Sequence, residues 1–189
     1  MQNDYYETRE SVAEYIELAK DVSGKALIER FREFIPEESE ILELGSGPGT
    51  DWKILSQYFK VTGSDFSMEF LKHLKTKHHK GTFLELDAIT LETERHFDGI
   101  YSNKVLHHLK DQDLKSSVKR QLEVLNPGGV LCHSFWNGEG SESFKGMFVN
   151  YHDESSLRGF FSNSFDVLLL EAYREFEDGD SLLMIARKK

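Results

Sequence analysis

From Ile41 onward the chain alternates two patterns: short unbroken apolar runs, and stretches in which apolar residues return every three or four positions. The runs predict buried strands and the stretches predict amphipathic helices. Their alternation predicts parallel strands joined by right-handed helical crossovers, an α/β fold with a doubly wound sheet. Strands are expected at Ile41–Leu44, Lys60–Asp65, Thr82–Asp87, Phe97–Tyr101 and Val130–Trp136. Between them, Trp52, Leu55 and Phe59 mark a short helix, and Ser67 is placed to cap a helix carrying Phe70, Leu71 and Leu74. Asp111 is expected to cap a helix with Leu114, Val118, Leu122 and Leu125 along one face, stopped by Asn126-Pro127-Gly128-Gly129. Asp153 is expected to cap another, holding Leu157, Phe160 and Phe161. The last runs, Phe165–Leu170 and Ser181–Ile185, flank the acidic turn Glu177-Asp178-Gly179-Asp180 and predict an antiparallel hairpin. Ahead of the alternation, Val12, Ile16 and Ala19, then Leu27, Phe31 and Phe34, recur at helical spacing up to Pro36. Residues 1–36 therefore read as a helical cap on a single domain spanning 1–189.

The first strand runs into Gly45-Ser46-Gly47-Pro48-Gly49-Thr50 and then a helix. Glycines at alternate positions admit torsions closed to other residues and let a ligand lie against the main chain. Unpaired N–H groups at the start of the next helix then face that ligand, so the pattern points to a nucleotide-like cofactor, with an ordinary glycine-rich turn as the alternative. A dinucleotide fingerprint wants glycine or alanine at the sixth place of G-x-G-x-x-G, where this chain has Thr50. Glu43, two residues before the first glycine, is awkward beside a pyrophosphate but suits a ligand carrying an ammonium and a sulfonium. Asp65 ends the next strand, twenty positions beyond Gly45, where a carboxylate accepts ribose hydroxyl protons. Phe66 offers a face to an adenine or a ring to the core.

On these residues the chain resembles the class I S-adenosylmethionine-dependent methyltransferases of small-molecule type, whose first motif is an acidic residue followed by G-x-G-x-G. Ser102-Asn103-Lys104-Val105-Leu106-His107-His108-Leu109 resembles the family's fourth motif, and Leu125-Asn126-Pro127-Gly128-Gly129 its Leu-x-Pro-Gly-Gly turn, so the matches span Ile41 to Leu131. The resemblance implies a seven-stranded, mostly parallel sheet whose antiparallel last strand lies between the fifth and the sixth. It implies S-adenosyl-L-methionine as cofactor, with Gly45, Ser46 and Gly47 under its methionine part beside Glu43. Asp65 would then hold the ribose, Phe66 an adenine face, Asp87 the adenine amino group and the Ala88 N–H a ring nitrogen. Asn103 would position the methionine end or the acceptor. The alternative is that Asp87 caps a turn.

A sulfonium methyl is already activated, so such an enzyme mainly aligns donor and acceptor for in-line displacement. If a general base is used, His107 or His108 is best placed, with packing at the helix start as the alternative role; His133 is a weaker candidate. The acceptor pocket is expected under Tyr5, Tyr6 and Tyr15 and under the insert from Trp136 to His152, whose Gly138, Gly140 and Gly146 mix with Phe144, Phe148 and Tyr151 as in a lid or a pinned surface loop.

Composition narrows the partners. The net charge of −10 argues against a nucleic-acid partner and favours a small-molecule acceptor. The basic cluster Lys72, His73, Lys75, Lys77, His78, His79 and Lys80 reads as the solvated end of a helix, and no metal site is expected there. The polar opening Met1-Gln2-Asn3-Asp4 and the lack of a ~20-residue apolar stretch lead to the expectation of a cytoplasmic protein without a membrane partner. Cys132, the sole cysteine, falls in a predicted buried strand and reads as an inert thiol. Two rivals stand beside the methyltransferase. One is an NAD-dependent oxidoreductase, disfavoured by Thr50, Glu43 and the terminal hairpin; the other is a cofactor-binding partner protein without turnover.

Overall fold

The computed structural model describes residues 6, 8–20, 22–144 and 146–189, apart from the side chain of Phe144. Helices α1 (Arg9–Leu18) and α2 (Lys25–Arg32) lead into β1 (Glu40–Leu44), α3 (Thr50–Leu55), β2 (Lys60–Asp65), α4 (Met68–Lys77), β3 (Thr82–Glu85) and β4 (Phe97–Asn103). A one-turn 3-10 helix (Leu106–His108), α5 (Asp111–Val124) and β5 (Leu125–Trp136) follow. Next come the hairpin β6 (Ser141–Phe144) and β7 (Met147–Asn150), α6 (Glu154–Phe161), β8 (Phe165–Tyr173) and β9 (Ser181–Lys188).

The seven-stranded sheet has the order β3-β2-β1-β4-β5-β9-β8. β1 to β5 pair in parallel, and β9 runs antiparallel between β5 and β8, as the expected architecture requires. Strand order reverses at β1, since β2 and β3 extend one way and β4 and β5 the other. The segments after β1 and β4 therefore part at the carboxyl edge and leave a crevice between them.

Both faces of the sheet are covered. In β9, Leu182, Met184 and Ala186 join the core that carries Leu114 and Val118 of α5 and Leu157 and Phe161 of α6. Leu183 and Ile185, pointing the other way, join Leu27, Ile28 and Phe31 of α2 and Leu55 of α3. Alternation with both sides buried is why this strand reads as one continuous apolar run. Phe31 meets Phe59 at 5.8 Å and Tyr101 at 6.2 Å between ring centroids, which packs α2 on this face of the sheet. Phe59 lies beyond the end of α3 and serves this core.

Ser67 and Asp153 cap α4 and α6 as expected, accepting from the N–H groups of Phe70 and Ser156. Asp111 does not cap. It is the first residue of α5, behind Lys110, and its carboxylate accepts from Asn150 Nδ2 at 2.8 Å instead. Asn126-Pro127-Gly128-Gly129 is carried within β5, where pairing jumps from Phe97↔Leu125 to Gly99↔Val130. The stop signal is thus a bulge rather than a separate turn. The expected solvated basic cluster is also partly wrong: the His78 ring sits 4.8 Å from Trp52, and burial lowers its pKa. Cys132 is fully buried, and burial pushes its thiol pKa up. Met1–Asp4 and Tyr5 lie outside the described residues, and no described helix is long and apolar enough to cross a membrane.

Candidate functional site

The cleft sits where β1 and β4 diverge. After Leu44, Gly45 takes φ 65° and Gly47 φ 46°, both left-handed, so the chain turns sharply at the strand tip. A Cβ at Gly45 would lie 2.6 Å from Val105 Cγ2, whereas at Gly47 nothing comes within 4 Å. The first glycine allows the segment after β4 to close in; the second leaves bare backbone on an open cradle.

Glu43 is the innermost acid, at 2% exposure. Its Oε2 accepts from Ser46 Oγ, Ser46 Oγ accepts from the Ser64 N–H at 3.1 Å, and Ser64 Oγ donates to the Glu43 carbonyl at 2.7 Å. Burial pushes its pKa up to about 8, against the Ser46 hydrogen bond and with help from Asp51 and Asp65. Asp65 receives the Gly47 N–H at 2.9 Å and the Ser67 N–H at 2.8 Å. Burial raises it to about 6, while the N–H groups of Ser67, Gly47 and Phe66 hold it down.

Asp51 was not among the residues expected from the sequence, and it organises the other wall. Its Oδ1 accepts from the Gly24 N–H at 2.7 Å, and its Oδ2 from Tyr101 Oη at 2.8 Å and Asn103 Nδ2 at 3.0 Å. One carboxylate thereby ties the start of α2, the helix after the glycine turn and the tip of β4. Among the described residues, none of Glu43, Asp51 and Asp65 has an ion-pair partner. Lys104 also borders the cleft, with a left-handed φ of 54°. Its ammonium is committed elsewhere, 3.4 Å over the Trp136 ring and bonded to Phe135 O at 2.9 Å and Ser181 Oγ at 2.7 Å. Burial there pulls its pKa down to about 8, against Glu175 and Asp180.

The expected residues Glu43, Gly45, Ser46, Gly47, Asp65, Phe66, Ala88 and Asn103 all line this cleft. Asp87 does not; its Oδ1 accepts from the Ile89 N–H at 2.6 Å, so it caps the turn after β3. The His pair separates. His108 borders the cleft, and its Nδ1–H donates to Phe148 O at 2.7 Å, which leaves the Nε2 lone pair as the basic site. His107 packs behind it at 3% exposure, 4.0 Å from the His108 ring and 6.3 Å from Trp136, and burial drives its pKa well down. His133 is fully buried away from the cleft, its pKa pushed down to about 3.

Tyr6, Tyr15, Ala19, Val22 and Phe70 give the outer cleft an apolar, aromatic wall. Tyr6 meets Tyr15 at 5.3 Å and Phe70 at 5.8 Å, and its hydroxyl donates to Met147 Sδ of the β6–β7 hairpin at 3.2 Å. Strands β6 and β7 of the insert after β5 pair with each other and reach the cleft through Tyr6 and His108.

A family model described as a methyltransferase domain matches residues 41–129. The chain is 34% identical over 94 residues to a trans-aconitate 2-methyltransferase of Methylobacterium radiotolerans, covering 48% of this chain and 35% of that one. It is 27% identical over 156 residues to a malonyl-[acyl-carrier protein] O-methyltransferase of Priestia megaterium, covering 79% and 55%. The chain thus spans about half or less of the length of these curated relatives. Among solved structures, the 1,6-didemethyltoxoflavin-N1-methyltransferase of Burkholderia thailandensis, crystallised with 1,6-didemethyltoxoflavin and S-adenosylhomocysteine, superposes with a TM-score of 0.80 at 19% identity. That superposition covers 95% of this chain and 84% of the other, and it shows a shared fold.

Proposed function

We propose that this chain is a class I S-adenosylmethionine-dependent methyltransferase, an enzyme methylating a small organic acceptor in the cleft between β1 and β4. The observation that carries the proposal is the set of three carboxylates, buried Glu43 and half-buried Asp51 and Asp65, around an open glycine turn and, among the described residues, without an ion-pair partner. Such a set is destabilised when empty and complementary to a ligand bearing positive charge.

S-adenosylmethionine, when bound, supplies a methyl group already activated on sulfur. Glu43 and Asp51 are the acids for its ammonium end, and Asp65, which keeps lone pairs beyond those that take the Gly47 and Ser67 N–H groups, is the acceptor for the ribose hydroxyls. Phe66, Leu86 and Ala88 form the flat apolar side for a base. The Tyr6 and Tyr15 wall supports an organic acceptor, held near His108. Orientation in such a site contributes roughly 7–11 kcal/mol of barrier lowering, and a base is needed only if the acceptor must lose a proton. His108, neutral by burial and with Nε2 unprotonated, is the group for that task. His107 and Asp87 act by packing and by shaping the loop.

Calorimetry tests the binding step. Micromolar uptake of S-adenosylmethionine or S-adenosylhomocysteine is expected, weakened by at least about tenfold in Asp65→Ala, the size of a lost charge-assisted bond. No heat with either compound would overturn the proposal. A fluorescence titration with NADH addresses the oxidoreductase rival, which Glu43 and Thr50 disfavour.

A further inference from the structure

A file of buried polar side chains crosses the molecule behind the cleft. Ser102 Oγ lies 2.8 Å from His133 Nδ1, and His133 Nε2 lies 2.8 Å from Gln121 Oε1. Gln121 Nε2 donates to Ser117 Oγ at 3.0 Å, and Ser117 Oγ donates to the Ala88 carbonyl at 2.6 Å. Ser117, Gln121 and His133 are at 0% exposure and Ser102 at 1%. Chemistry orders the protons. A carbonyl only accepts, so Ser117 gives its hydrogen to Ala88; the Gln121 amide oxygen also only accepts, so His133 carries its proton on Nε2 and takes one from Ser102 on Nδ1. Every group donates to the next in one sense, an arrangement in which each bond polarises its neighbour.

The two ends of the file are the two sides of the cleft. Ser102 immediately precedes Asn103 at the tip of β4, and Ala88 sits with Leu86 on the opposite wall. The stretch 86–91 lies beyond the end of β3 and includes Leu91 at a left-handed φ of 40°. Its shape is held by α5. Besides Ser117, Arg120 donates to the carbonyls of Thr90 and Leu91 at 3.2 Å each and to Thr93 at 2.9 Å.

Resting on the cofactor assignment above, we propose that Gln121 and Ser117 are positioning residues: they lock the Ala88 peptide from behind and so set affinity at the adenosine end of the cleft. Neither side chain touches the ligand. Gln121→Met keeps the volume and breaks the file in the middle; Ser117→Ala removes its last two bonds. Val130→Ala, in the core on the opposite face of the sheet, is the control for general destabilisation.

Two readouts are taken below every variant's melting temperature: amide hydrogen exchange at 86–91 in ligand-free protein, and calorimetric Kd for S-adenosylhomocysteine and for adenosine. In both file variants, exchange at 86–91 is expected to rise about tenfold, and both Kd values to rise by a common factor of about five to ten, with neither effect in Val130→Ala. Unchanged exchange at 86–91, or Kd values within about twofold of the unaltered protein, would overturn the proposal. If the unaltered protein binds neither compound, the cofactor assignment fails, and the exchange rates alone still decide whether the file holds the loop.

Discussion

At the scale of single residues, the acids of the cleft make ligand binding a proton-linked event. With Glu43 near 8 and Asp65 near 6 when the cleft is empty, both hold protons at acidic pH that a cationic ligand would displace. Affinity for S-adenosylmethionine is therefore expected to rise between about pH 6 and pH 8, then level as the ligand's own α-amino group, of ordinary pKa about 8, loses its proton. Glu43→Gln should weaken binding and flatten that rise, and calorimetry in two buffers of different ionisation enthalpy reads the released protons. The same shift acts on stability with the opposite sense. Glu43 is raised above its ordinary 4.5, so its contribution is full below pH 4.5 and is lost as pH climbs through about 8. The ligand-free melting temperature is expected to fall across that window, and less so in Glu43→Gln. His108→Gln should leave cofactor affinity within about twofold while lowering turnover by roughly 10²-fold or more for an acceptor that must lose a proton. Glu43 and Asp65 were legible because strand-tip acids at fixed distances from a glycine turn announce themselves. Asp51 was not, since its role depends on Gly24 and Asn103 arriving from distant segments; an acid in the first turn after the glycines was the available signal.

At the scale of elements, the glycine turn and the segment after β4 are one unit. Gly45→Ala would force a Cβ into Val105 and hold a non-glycine residue at φ 65°. A loss of about 1–3 kcal/mol is expected, read by denaturant unfolding, and only the steric part should be recovered by adding Val105→Ala. Ser67→Ala is expected to cost about 1 kcal/mol as a lost cap, and it also frees the Tyr6 carbonyl that Ser67 Oγ holds at 2.6 Å. Strands and capped helices were readable because unbroken apolar runs, period 3.6 and the cap residues are local signals. The α5–β5 junction was misread because Pro and Gly mark a break in either a turn or a bulge, and only the pairing of Leu125 with Phe97 chooses between them. The hairpin β6–β7 carried no clean alternation. Its contacts with the rest of the molecule run through Tyr6, His108 and Asn150.

At the scale of the whole molecule, the reversal of strand order at β1 brings three carboxylates to one crevice, and covered faces on both sides of the sheet keep it rigid. A ligand that binds only this folded cleft stabilises the protein by mass action: at 100 times its Kd, about 2.7 kcal/mol, or a rise of roughly 5–10 °C in melting temperature for a chain of this size. The parallel sheet and the terminal hairpin were legible from the order of patterns, whereas the place of β9 between β5 and β8 came from the family resemblance. The buried file through His133 was not, because neither its spacing nor its composition differs from that of ordinary core serines and histidines. The most direct measurement is transfer of a labelled methyl group from S-adenosylmethionine into a metabolite extract by the full chain. Label is expected in the small-molecule fraction, falling by at least about tenfold with Asp65→Ala. Folded protein that leaves all label on the donor, or that delivers it only to macromolecules, would contradict the account.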